Sequence, residues 1–189
     1  DELFTGYYDH FNLHFQTCRN EPNFKNLLRD WKKHQLDFIR HPSFRKYDLY
    51  FNDSSIRDHI YLNNNVFASY LLKPFSEGFL EVEYSHDLLR NRMMNEMFHE
   101  VVRIILHEDD LNSMKYSIEN RSPFLDRNLF DYANSIPSKF LIKNGYAKYL
   151  LRESMEGILN DKVRLSREKK GFNASINSII DFDNPAHIN

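Results

Sequence analysis

The chain has 189 residues, 41% of them hydrophobic and 28% charged, with a formal net charge of −2. That length is enough for one domain with a sizeable core, and the near-neutral charge argues against a nucleic-acid or membrane-surface role. Cys18 is the only cysteine, which excludes an internal disulfide and fits a reducing, cytoplasmic compartment.

Residues 24–39 (FKNLLRDWKKHQLDFI) carry apolar side chains at 24, 27, 28, 31, 38 and 39. The spacing predicts a helix with Asn23 as N-cap, ended by Pro42. Residues 43–63 show no clear period and read as irregular, with one short helix around 54–61. A short helix over 64–72 stops at Pro74. The strongest signal is 86–106, where Leu89, Met93, Met97, Val101 and Ile105 recur every four residues. So wide an apolar stripe belongs in a core, and its methionines read as packing rather than as a ligand groove. A short helix follows over 109–118. Asp126 is placed to cap a helix that ends before Pro137. KFLI (139–142) and Asn144-Gly145 read as an extended stretch and a turn. AKYLLRESMEGIL (147–159) is a helix with Ala147, Leu150, Leu151, Met155 and Ile158 on one face. A helix is expected over 175–181. The chain is therefore mainly α, with little strand, no internal repeat and no low-complexity segment.

No apolar run reaches the roughly 18 residues of a membrane helix. The opening DELFTGYYDHF is acidic and aromatic, unlike a secretory leader. Position 1 is Asp, and DFDNPAHIN closes the chain without a recognisable tail, so a piece of a longer protein is expected. The five glycines form no phosphate-binding loop. If a nucleotide is used, its main phosphate cradle lies elsewhere.

Three segments offer chemistry. Asp1-Glu2-Leu3-Phe4 is either a helix start, where acids favour the dipole, or a hard-cation site beside a phosphate chain. Arg167-Glu168-Lys169-Lys170-Gly171-Phe172 is either a solvated loop or a device in which Gly171 and Phe172 hold a lysine in place. A fixed ammonium of that kind stabilises developing negative charge. Glu119 and Arg121, set among Met114, Tyr116, Ile118, Phe124 and Leu125, read as a partly buried ion pair. His10 and His14 stand at i, i+4, but without HExxH they do not point to zinc. Cys18 lacks a thiolate-activating pattern and reads as a small buried residue.

Singly these signals are weak; in order they are specific. DELFTGYY, DDLNSMKYSIENRSPFLD, NGYAKYLLRESMEGIL and REKKGF together resemble the C-terminal synthetase domain of the asparagine synthase family. The resemblance runs from residue 1 to about 175 and is loose over 20–85. It implies the helical C-terminal portion of an α/β ATP-pyrophosphatase synthetase domain, of the adenine nucleotide alpha hydrolase-like kind. The phosphate loop and the N-terminal glutaminase domain are absent from the chain, so a fragment inactive alone is expected. Members use ATP and Mg²⁺ to adenylate a carboxylate, and ammonia released from glutamine by the glutaminase domain then forms the amide. Carried onto this sequence, Asp1 matches the Mg²⁺-binding acid. Lys169 matches the catalytic lysine that contacts ATP phosphate. Glu119 and Arg121 match a pair that shapes the substrate side of the site rather than doing the chemistry.

Three positions depart from the family pattern. Thr5 stands in place of a usual Gly, Leu111 in place of Arg, and Ser175 where Pro is common. Leu111 removes a charge, which brings in amidation of a sugar uronic acid for surface polysaccharide as the alternative to aspartate. The missing phosphate loop brings in a third reading, a helical interaction module without catalysis. The expected partners are a carboxylate substrate, aspartate or another, and glutamine-derived ammonia, with no nucleic acid and no membrane; a homodimer is left open.

Overall fold

The computed structural model describes residues 1–56, 68–73 and 80–167. Its helices are α1 (Tyr8–Cys18), α2 (Phe24–His34), α3 (Leu88–Phe98), α4 (Val101–Met114), α5 (Arg127–Ser135), α6 (Tyr149–Ser154) and α7 (Asp161–Arg164). Short 3-10 turns lie at Leu36–Phe38, Pro42–Arg45, Pro123–Leu125 and Ser138–Phe140. No strand occurs among the described residues; the one isolated bridge pairs Lys143 with Tyr146.

The fold is organised around α1, which packs on α2, α3 and two of the 3-10 turns. Phe11, Leu13 and Phe15 of α1 join Trp31, Ile39, Tyr50, Leu89, Met93, Leu141 and Ile142 in the main core. Phe15 sets its ring edge-on to Trp31 at 5.4 Å, a favoured aromatic geometry. A smaller cluster gathers Leu3, Phe4, Met97 and Ala133. It seats the first residues of the chain against α3 and α5.

The helix at 8–18 is missing from the sequence reading. Its signal is there: Tyr8, Phe11, Phe15 and Cys18 follow helical spacing, and His10 and His14 share a face. The expected helix 86–106 divides in two. Asp87 caps α3 by accepting from Arg90 N–H at 2.8 Å. The helix ends at Phe98, and His99 turns to stack on Tyr84, with Nε2 2.7 Å from its hydroxyl. The expected stripe is buried in α3, whereas α4 buries no residue. The proposed helix over 109–118 is the end of α4, and Ser117 leaves the helical region at φ 57°.

Further differences are local. Residues 24–39 form α2 and a 3-10 turn, and Asn23 makes no side-chain cap. Asp126 does cap α5, accepting from Leu129 N–H at 3.0 Å. KFLI is not extended, because Ser138–Phe140 turns as a 3-10 segment. Asn144 and Gly145, both at positive φ, make the two-residue turn that closes the Lys143–Tyr146 bridge. The helix expected over 147–159 is regular only from Tyr149 to Ser154. The helix over 175–181, residues 57–61 of the one over 54–61 and residues 64–67 of the one over 64–72 lie outside the described residues; at the end of the last, residues 69–72 are turn and bend rather than helix.

Candidate functional site

Residues Asp1–Gly6 form a tight loop ahead of α1. Thr5 is fully buried at φ 70°, a region that β-branched residues rarely enter. Its hydroxyl donates to Phe4 C=O and accepts from Lys148 N–H at 3.0 Å. Lys148 itself sits at φ 57° and sends its ammonium to the carboxylate of Asp1. Gly6 closes the loop against the same group: a Cβ there would lie 2.1 Å from Asp1 Oδ1 and 2.8 Å from Lys148 Cε. Two chain segments some 140 residues apart thus meet at one carboxylate.

A cleft of about 210 Å³ opens at this point, lined by Asp1, Gly6, Gln35, Tyr146, Lys148, Arg152 and Arg167 among others. Its charge is chiefly positive. Arg152 lies 5.3 Å and Arg167 3.8 Å from the centre of the Tyr146 ring, so both guanidinium groups are held by cation–π contact. Burial, with the charge of Arg152 beside it, lowers the pKa of Lys148, while Glu2 opposes the change. Gln35 is anchored by donating to Gly145 C=O at 2.6 Å. One acid beside three cations can receive a polyanion with its metal: a hard divalent cation takes one or two carboxylates plus phosphate oxygens.

A second cavity, also about 210 Å³, shares Asp1 and Lys148 and is lined by Leu3, Phe4, Met97, Phe124 and Leu125. Phe124 meets Phe4 edge-on at 6.5 Å. The ENRSPFLD stretch therefore does reach the Asp1 loop, but through its apolar residues. Glu119 and Arg121 pair with each other at 2.5 Å and are 72% and 81% exposed. The partly buried ion pair expected from the sequence is thus a surface pair, because Met114, Tyr116, Ile118 and Phe124 around it are themselves exposed. Leu111 is also exposed, on α4. Lys169 lies outside the described residues; Arg167, two positions earlier, lines the cleft.

Lys148 and Arg152 escaped the sequence reading. They belong to the KYLLRE stretch, which the sequence marks as a helix and as part of the family resemblance, with no site role for either residue. Behind the loop lies a buried polar cluster that was missed as well. His10 Nε2 stands 2.9 Å from Glu96 Oε2, and Arg92 Nη1 stands 3.6 Å from Asp9 Oδ2. Arg92 Nε donates to Glu81. Burial pushes the Glu96 carboxyl up, against the pull of His10. Cys18 is buried with its thiol pushed up to about 11 by burial, which removes it as a nucleophile.

No helix among the described residues is long and apolar enough to cross a membrane. No solved structure matches the chain. Asparagine synthetase (glutamine-hydrolyzing) 1 of Bacillus subtilis (strain 168) is 48% identical over 68 residues. That stretch covers 36% of this chain and 11% of the relative, so the chain spans a small part of the relative's length. The family model described as asparagine synthase matches residues 1–186. Matched over that span, the chain belongs to the asparagine synthase family.

Proposed function

We propose that the chain is part of an ATP-dependent, glutamine-dependent ligase that adenylates the side-chain carboxylate of aspartate and transfers ammonia to it, giving asparagine. One observation carries the reading: across a chain matched to this family, Asp1, Lys148, Arg152 and Arg167 line a single cleft. Its donor set fits magnesium-bound triphosphate. Asp1 would hold the Mg²⁺, and Lys148, Arg152, Arg167 and Lys169 would neutralise phosphate oxygens. ATP supplies the adenylyl group that activates the carboxylate, and pyrophosphate leaves. The contribution of this chain is electrostatic: cations fixed in advance around a site where negative charge develops. Phe124 and Leu125 line the second cavity, which shares Asp1 and Lys148 with the cleft. The phosphate loop and a glutaminase domain that releases ammonia complete the site, in a cytoplasmic protein.

The test uses the full-length protein. Pyrophosphate release is measured with aspartate and with sugar uronic acids as substrates. Aspartate-dependent release is expected, and Lys169→Ala should lower it about 100-fold, as loss of one preorganised charge does elsewhere. Turnover of uronic acids alone would transfer the assignment to polysaccharide amidation, which Leu111 favours. No release with any carboxylate would leave the helical interaction module.

A further inference from the structure

The buried cluster between α1 and α3 contains a directional hydrogen-bond chain that ends at the Asp1 loop. Gly6 N–H donates to His10 Nδ1 at 3.2 Å. With Nδ1 accepting that bond, Nε2 is the ring nitrogen left to donate. That N–H donates to Glu96 Oε2 at 2.9 Å. The side chains of His10 and Glu96 are 0% and 5% exposed, and Tyr7 holds the ring edge-on at 5.2 Å. Gly6, in turn, lies directly against Asp1, with room for no Cβ. The backbone that His10 grips is the backbone against which the Asp1 carboxylate rests.

We propose that His10, oriented by Glu96, is a positioning residue: through Gly6 it fixes the Asp1 carboxylate at the cleft. This rests on reading the cleft as the nucleotide site. Asp9, His10 and Glu96 also bring three potential metal-ligand atoms within 4.8 Å of one another. Two features speak for positioning instead. A metal would need the lone pair of Nε2, the nitrogen that the Gly6 contact leaves protonated. Arg92, 3.6 Å from Asp9, already supplies the positive charge.

Pyrophosphate release by the full-length protein, with Mg·ATP and carboxylate varied separately, tests the proposal. His10→Gln keeps a donor toward Glu96 and loses the acceptor for Gly6. It should raise KM for Mg·ATP about tenfold, the loss of roughly one hydrogen bond, and leave KM for the carboxylate within about twofold. His10→Asn restores an acceptor near Nδ1 and should bring KM for Mg·ATP back to within about threefold of the original. Glu96→Gln still accepts from Nε2–H and should behave likewise. An unchanged KM in His10→Gln, equal rises in all three variants, or a stoichiometric metal that His10→Gln removes would overturn the proposal. If the unaltered protein releases no pyrophosphate with any carboxylate, the cleft reading fails on its own. The His10 link is then judged by ¹⁵N NMR of histidine-labelled protein: a bare Nδ1 with protonated Nε2 upholds it, and any other protonation state overturns it.

Discussion

At residue scale, Thr5 shows how a departure from a family pattern is absorbed. The pattern that the DELFTGYY opening resembles has Gly here, and the backbone angle, φ 70°, is one that glycine adopts without strain. Threonine tolerates it because its hydroxyl bonds both Phe4 C=O and Lys148 N–H. Removing the hydroxyl while keeping the branch should therefore be worse than removing the side chain. Thr5→Val is expected to cost about 1–3 kcal/mol, since the strain stays and a buried N–H loses its partner. Thr5→Gly should cost less, and thermal unfolding of the two variants side by side gives the order. His14 supplies a pH dependence. Burial lowers its pKa to about 4 from the ordinary 6.5, with Asp87 opposing. Between those values the unfolded chain binds a proton that the folded chain refuses, so stability falls as pH drops from 6.5 towards 4 and is fully present above. The full loss is of order 3 kcal/mol. His14→Gln should flatten that slope when unfolding midpoints are measured across the window.

At element scale, α3 explains where the sequence was legible. The period of Leu89, Met93 and Met97 identified the helix and its core face. Its other face escaped, because Asn91, Arg92, Asn95 and Glu96 look like a solvated side and are all buried. Each has a partner distant in sequence. Asn95 clamps Val82 from both sides, accepting its N–H at 2.9 Å and donating to its C=O at 2.8 Å. Asn91 accepts from Tyr84 N–H at 2.7 Å. These amides serve the 80–84 segment in place of a neighbouring strand, and no local periodicity announces that. The same limit applies to the site. Asp1 was legible as an acid in a motif, whereas Lys148 faces it only because the Asn144-Gly145 turn returns the chain to the Thr5 loop. Arg92 tests the buried face. It lies between Asp9 and Glu81 with its guanidinium 5.7 Å from the Tyr50 ring. Arg92→Leu leaves two carboxylates without that compensation and should cost about 3–5 kcal/mol by denaturant unfolding.

At the scale of the whole molecule, burial is uneven. α1 and α3 are buried on nearly every face, whereas α4 buries nothing. Ile104, Ile105, Leu106, Leu111 and Met114 are exposed along α4, and Tyr116, Ile118 and Phe124 continue the apolar surface beyond it. Surface of that extent is uncommon on a monomer in water and promotes association. A helix with no buried residue also draws little stability from packing, which is the main source of helix stability in proteins. Residues 1–189 expressed alone should therefore self-associate and bind a hydrophobic dye, with α4 exchanging its amide hydrogens well before α1 and α3. Ile104→Glu with Leu111→Glu should suppress the association while leaving α1 and α3 protected, because neither side chain belongs to the main core. Light scattering and hydrogen exchange on the two proteins decide the matter: a sharp, monomeric unfolding transition of the unaltered chain, with α4 as protected as α1, would refute it.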